Sequence, residues 1–485
     1  MFLISFEFSL FLLVVLWLNW TLRGKGVYYR FFLLAANFFF YATQKTGLIL
    51  LPLGVGISNY VFALLISRST RQGTRKALLW IDMVLNLGLL AFYKYFDFLY
   101  HCLDSVLVPL HIQLPPPFFD IFFPIGISFF TFQGISYCID VYRDRDQVIK
   151  NPVDILLFVS FFPTILAGPI MRARTFIPQI DHPEFDSRSF QEGFALILSG
   201  LFKKLVISSY LSEHIVRDVF QAPAGYSSPT VLLAVFAYSI QIYCDFSGYS
   251  DIAIGIAQLM GYRLPPNFGM PYAVSNVQEF WRHWHISLST WLRDYLYIPL
   301  GGSKKGKVRK YLNLLITMGL GGLWHGPDSR FLLWGLLHGA FLALKHMWRD
   351  LRQSLSADKT VKKAPWRLST PGLARFCNFG QCLLVFTLVS FLWVFFRAEN
   401  SARAFEIFRA IFACKFGGAG FEFPVLPAMA AGLAIQFAGP KLSQFYTRLQ
   451  ERLPLHLQAA AAALICTVII RLGPSGIPPF IYFQF

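Results

Sequence analysis

The stretch GGLWHGP, Gly321 to Pro327, places a histidine, His325, between two apolar runs. An imidazole titrates near neutrality and can take the proton from a hydroxyl while its oxygen attacks a carbonyl. Ionisable groups inside membrane segments are functional by default. His325 therefore reads as a general base, or else as a structural histidine bonded to a neighbouring carbonyl. A second imidazole, His285, lies in QEFWRHWHISLSTWLRDYLYIP (278–299). There Trp281, Trp284, Leu288, Trp291 and Tyr295 recur at intervals of three and four, and Gln278, Arg282, His285, Ser289 and Arg293 form a second stripe. The spacing predicts one helix at a membrane boundary or along a cavity, because so many polar groups cannot rest in hydrocarbon. On that helix His285 either joins the chemistry or bonds across helices.

Other residues are candidates for binding and support. Arg172 and Arg174 follow the Gly-Pro break of FFPTILAGPIMRARTF (161–176), and with Arg282 and Arg293 they are candidates for the phosphates of a cofactor, or ordinary positive anchors. Asp245 and Asp251 interrupt the apolar run 243–268, and a buried carboxylate needs a donor or a water path. Asp245, with Ser247 and Ser250, is placed at a polar group or a helix kink; Trp324, Gly322 and Gly326 support the surroundings of His325. His338 is read as a packing or polar-network residue. His283 points away from His285 if the segment is one helix, since two residues turn about 200°, so HWH is a poor chelate. No HExxH and no Cys/His cluster appears, and no metal is expected.

The elements that position these residues must be membrane helices. Of 485 residues 55% are hydrophobic and only 14% charged, against about 25% charged in soluble domains. Apolar runs predict spans at about 3–20, 27–43, 47–66, 77–100, 119–139, 152–169, 194–211, 229–257, 311–323 with 331–347, 377–396, 424–440 and 457–471. The net charge of +17 is carried by short clusters between them: Arg23/Lys25/Arg30, Arg68 to Lys76, Arg143/Arg145/Lys150, Lys203/Lys204, Lys304 to Lys310 and Arg349 to Arg367. That distribution fits loops on the cytoplasmic side and not a nucleic-acid face. The Pro-rich HIQLPPPFF (111–119) reads as external, 353–366 as the only segment resembling disorder, and the first twenty residues as a retained span with its N-terminus outside. The seven cysteines read as small core residues without disulfides.

The run Tyr311 to Leu323 is thirteen residues, roughly 20 Å of helix, shorter than a hydrocarbon layer of about 30 Å. Gly319, Gly321, Gly322, Gly326 and Pro327 are expected to break it within the membrane. A hairpin entered from the cytoplasm then holds His325 near its tip, facing an internal channel. Walker, dinucleotide and GxSxG motifs are absent, which removes ATP-driven transport and serine-hydrolase readings.

The ordered set IGISFFTFQGISYCIDVYR, FFPTILAGPI, DFSGYSDIAIGIAQLMGY, EFWRHWHISLSTWLRDYLYIPLGG, GGLWHG, LWVFFRAEN and the terminal PFIYFQF resembles the membrane-bound O-acyltransferase superfamily, in its bacterial alginate O-acetyltransferase branch. The resemblance covers about 124 to 485. It implies an all-α polytopic membrane protein, a bundle of roughly 11–14 membrane helices with re-entrant or short helices around a transmembrane tunnel. It implies His325 as catalytic base and His285 as the second functional position, with a cytoplasmic acyl thioester as donor. It also implies a periplasmic SGNH-type partner that finishes transfer onto sugar hydroxyls.

The expected organisation is one membrane domain over 1–485, with N-terminal spans at 1–120, a catalytic core at 121–350 and C-terminal spans at 374–485. The expected function is O-acetylation of an exopolysaccharide, alginate-like first, or of a cell-wall polymer, in the bacterial inner membrane. Acetyl-CoA or another acetyl thioester is the donor, no cofactor stays bound, and the partners are the SGNH-type enzyme, the polysaccharide machinery and membrane lipids. Rival readings are D-alanyl transfer, a channel or flippase for an acylated carrier, and a lipid acyltransferase.

Overall fold

A computed structural model describes residues 1–112, 114–115, 123–166, 168–182, 186–355, 371–421 and 423–474. The parts of 111–119 and 353–366 that matter to the readings above, and the terminal PFIYFQF, lie outside the described residues in whole or part. The described chain is helical, with a lone bridge between Tyr226 and Ala419. It falls into two compact units: Met1–Ser199 with Tyr249–Pro266, and Gly200–Gly248 with Asn267 onward.

The first unit holds α1 (Phe6–Leu22), α2 (Val27–Ala42), α3 (Leu50–Arg68), α4 (Gln72–Leu107), α5 (Ile127–Arg143), α6 (Pro152–Ser160) and the start of α7 (Ser187–Leu201). Local sequence sets several starts. Ser5 Oγ accepts from Phe8 N, and Asn151 Oδ1 accepts from Val153 N with Pro152 at the first helical position. Two apolar runs are not simple spans. The 152–169 run breaks at Phe161 into α6 and the short Phe162–Ile165 helix, where Pro163 cannot continue the ladder. Both α6 and α5 are buried around most of their circumference, so their hydrophobicity serves protein packing. Polar groups pair internally. Asn59 Nδ2 donates to Asn86 Oδ1 at 3.2 Å, and Asn86 Nδ2 to Asp82 Oδ1 at 3.0 Å. Arg30 is no free anchor: it bonds Asp154 at 2.7 Å and Asp181 at 2.5 Å.

In the second unit α7 continues as a π-helical turn, Phe202–Ser208. The long helix α8 (Ser228–Leu259) enters this unit as far as Gly248. After it come α9 (Val277–His283), α10 (Ile286–Leu292), α11 (Lys307–His325), α12 (Ser329–Leu355), α13 (Pro371–Arg397), α14 (Ser401–Phe412), α15 (Val425–Arg452) and α16 (Leu455–Leu472). Among the described residues five helical stretches are long and apolar enough to cross a membrane: Thr46–Arg68, Gln72–Leu110, Ser187–Gln221, Ser228–Leu259 and Asn378–Arg397.

Three expectations need correction here. Lys203 and Lys204 are not loop residues; both are buried in the π-helical turn, where Lys204 Nζ bonds Asp245 and Lys203 Nζ donates to Ser247 Oγ at 3.1 Å. Segment 278–299 is not one helix, because α9 ends at His283 and α10 begins at Ile286. Gly319, Gly321 and Gly322 do not break the hairpin. α11 runs unbroken for 19 residues, about 28 Å, from within the basic loop to His325.

Those glycines set the spacing between α11 and α12. A Cβ on Gly322 would lie 2.2 Å from the Phe331 carbonyl oxygen, and one on Gly335 2.2 Å from that of Met318. Bare backbones let the two helices approach closely enough to pack without a hydrophobic driving force between them. The turn is three residues, Gly326–Asp328, and Asp328 Oδ1 accepts from Arg330 N at 2.8 Å to start α12.

Candidate active site

His325 is the last residue of α11 and is buried. Its ring meets Trp324 at 4.9 Å between centroids, Trp334 of α12 at 5.2 Å and Phe396 of α13 at 5.1 Å, all edge to face. Gly326 gives these rings room: a Cβ there would sit 2.4 Å from the Phe331 ring. The three rings hold the imidazole at the end of α11. Behind it Trp334 stacks on Trp393 at 5.4 Å, and His338 accepts from Trp281 Nε1 at 3.3 Å while stacking on Phe280. That layer fixes the orientation of Trp334, and through it that of His325.

His285 sits in the two-residue break between α9 and α10, buried, at φ 42° and ψ 57°. This is the left-handed region, which a non-glycine residue occupies only when its surroundings impose it. The segment after Pro265-Pro266 imposes it: Asn267 O accepts from Ile286 N at 2.9 Å, and Gly269 N donates to His283 O at 2.9 Å. The His285 ring lies 4.7 Å from Phe246 and 6.1 Å from Trp324. Trp324 thus touches both imidazoles. His285 Nδ1 bonds Asn267 Oδ1 at 3.1 Å, and its Nε2 is buried with no hydrogen-bond partner among the described residues.

The remaining candidates differ in exposure and in partners. Arg282 and Arg293 are exposed, and Arg293 Nε pairs with Asp294 at 2.7 Å. Arg172 is partly buried and Arg174 exposed, both in the first unit. Asp245 is the buried partner of Lys204, with Ser208 Oγ donating at 3.3 Å. Among the described residues no three His, Cys, Asp or Glu side chains gather as a metal site. The sequence reading missed Trp334, Phe396, Asn267 and Ser287 around the two rings.

Removing one partner of a buried ion pair leaves an uncompensated charge, which costs about 3–5 kcal/mol. Lys204→Ala is expected to destabilise the protein on that scale, and Lys204→Met with Asp245→Leu to recover most of the loss. Thermal unfolding in detergent checks both.

The family model of the membrane-bound O-acyltransferases matches residues 36–368, which include both imidazoles. The chain belongs to the membrane-bound O-acyltransferase family. It is a multi-pass membrane acyltransferase, and its all-helical architecture is that of the family. It is 36% identical to a probable alginate O-acetylase AlgI of Pseudomonas aeruginosa, over 97% of this chain and 86% of that protein. A peptidoglycan O-acetyltransferase of Helicobacter pylori is 29% identical over 91% of this chain and 82% of its own length. A teichoic acid D-alanyltransferase of Streptococcus thermophilus is 29% identical over a smaller share, 55% of this chain and 68% of that protein. Within this O-acyltransferase, Trp324 and the two histidines are the residues that the hairpin and the strapped break bring together.

Proposed function

We propose that this O-acyltransferase carries an acetyl group from a cytoplasmic acetyl thioester, acetyl-CoA or an equivalent carrier, to O-acetylate an exopolysaccharide of alginate type, or a cell-wall polymer, at the bacterial inner membrane. The observation that carries the reading is the pair of buried imidazoles in contact with one indole, Trp324. The lengthwise likeness to alginate and peptidoglycan O-acetylating enzymes supports the acetyl group and the polymer class.

In the step proposed, the acceptor hydroxyl attacks the thioester carbonyl and its proton passes to His325. The C–O bond forms, the C–S bond breaks, and the thiolate leaves with the electron pair and recovers the proton from the imidazolium. A thiolate is a good leaving group, so alignment and deprotonation are the enzyme's main tasks. The sequence neighbours of His325 are Trp324 and Gly326, neither a nucleophile, which supports direct transfer without an acyl-enzyme. His285 orients or polarises the reacting groups. Arg172, Arg174, Arg282 and Arg293 are candidates for the donor's phosphates, and a periplasmic SGNH-type enzyme is the proposed final acetyl carrier.

Purified protein offered labelled acetyl-CoA and, separately, a D-alanyl thioester tests the assignment. Acetyl transfer to a polysaccharide or to the partner's serine is expected, with D-alanyl transfer at least tenfold slower. Preferred D-alanyl transfer would overturn the acetyl assignment.

A further inference from the structure

Asn267 is absent from the proposed chemistry, yet its side chain touches His285 from the strapping segment. Its Oδ1 takes three contacts: Ser287 Oγ at 2.8 Å, Ser287 N at 3.3 Å and His285 Nδ1 at 3.1 Å. The backbone N–H of Ser287 can only donate, so the atom it meets is the amide oxygen and not the amide nitrogen. An oxygen facing Nδ1 requires that Nδ1 carry the hydrogen. In the neutral ring Nε2 is then the bare nitrogen. That nitrogen is buried and bonded to nothing in the described protein.

We infer that Asn267 is a positioning residue whose Oδ1 holds the Nδ1–H of His285 and so presents Nε2 to the reactants as a hydrogen-bond acceptor. The inference rests on the proposed role of His285 and narrows it. A neutral ring in this tautomer has no donor at Nε2, so it does not polarise the thioester carbonyl. It aligns an O–H or N–H of the bound reactants instead. The left-handed backbone at His285 fits the same purpose, because Asn267 grips the break through its main chain as well as its side chain. The hydrogen-bond and ring partners described for His285, namely Asn267, Ser287, Phe246 and Trp324, carry no charge.

Two substitutions in the full-length protein, assayed for acetyl transfer as a function of pH, separate this from a packing role. Asn267→Leu removes the acceptor at similar size and is expected to lower kcat about tenfold to a hundredfold, the scale set by outer partners of metal-bound imidazoles, with little change in the donor's KM. Asn267→Asp keeps an oxygen for Nδ1–H and is expected to recover most of the rate at high pH. Its negative charge favours the protonated ring, so the acidic limb of its profile moves to higher pH. Nitrogen-15 resonances of the histidines supply a readout independent of activity and of the leucine variant's folding: Nε2 of His285 is pyridine-type in the wild type. A pyrrole-type Nε2 overturns the proposal, as does an Asn267→Asp enzyme no better than Asn267→Leu with an unmoved profile. A His285→Ala variant as active as wild type would instead remove the role assigned to His285, whatever the tautomer.

Discussion

His325→Ala is expected to lower acetyl transfer by about 10²- to 10⁴-fold, the span that general bases contribute, with the donor's KM nearly unchanged. The reason is positional. The ring is held at the end of α11 by Trp324, Trp334 and Phe396. A base acts in the transition state and adds little to ground-state binding, so its loss falls on kcat. Truncation also empties part of the aromatic cage, and His325→Gln, which keeps volume and polarity, is the companion variant. Both are expected to insert in the membrane and run as the wild type on size exclusion. If both rings serve one reacting group, as proposed, adding His285→Ala to His325→Ala is expected to cost less than the two single losses multiplied; the two rings flank Trp324.

Gly322→Val is the largest expected structural effect. The added Cβ meets a backbone carbonyl oxygen at 2.2 Å, and a backbone atom cannot rotate away as a side chain does. Relief requires α11 and α12 to separate along their shared seam, where Gly335 and Gly339 of α12 also approach α11 backbone. The cost is expected to exceed about 3 kcal/mol, the upper end of ordinary overpacking. Detergent-extracted protein should lose its monodisperse peak, together with all activity. Gly380→Ala in α13, where a Cβ would meet nothing within 4 Å, is the control and should be neutral or slightly stabilising.

The helices were legible because hydrocarbon demands long apolar runs, and each such run in the sequence carries a helix in the described structure. What sequence reading misplaced depends on partners far along the chain. The tryptophan period of 278–299 runs across position 284, so nothing local announces the break; its cause is the segment at Asn267–Gly269, some eighteen residues upstream of His285. Lys203 and Lys204 looked like another basic cluster, and Asp245, which neutralises Lys204, stands 41 residues away. The clustered glycines before His325 have the composition of a break, yet they lie within an unbroken helix. A better signal was available in α12, where Gly335 and Gly339 form a G-x-x-x-G pair, the pattern of closely packed membrane helices. His325 itself was legible as an ionisable residue in an apolar run, whereas its cage was not: Trp334 and Phe396 arrive from two other helices.

The caged imidazole at residue 325 is proposed to act as the base of acyl transfer, in a reaction that cleaves the thioester. The most direct measurement is a single turnover of labelled acetyl thioester by purified wild type and His325→Gln in the presence of the hydroxyl acceptor. Thioester loss and label gain should match one for one in the wild type, and both should be absent from the variant over the same interval. Equal thioester cleavage by a folded His325→Gln protein, or passage of intact thioester without cleavage by either, would contradict it.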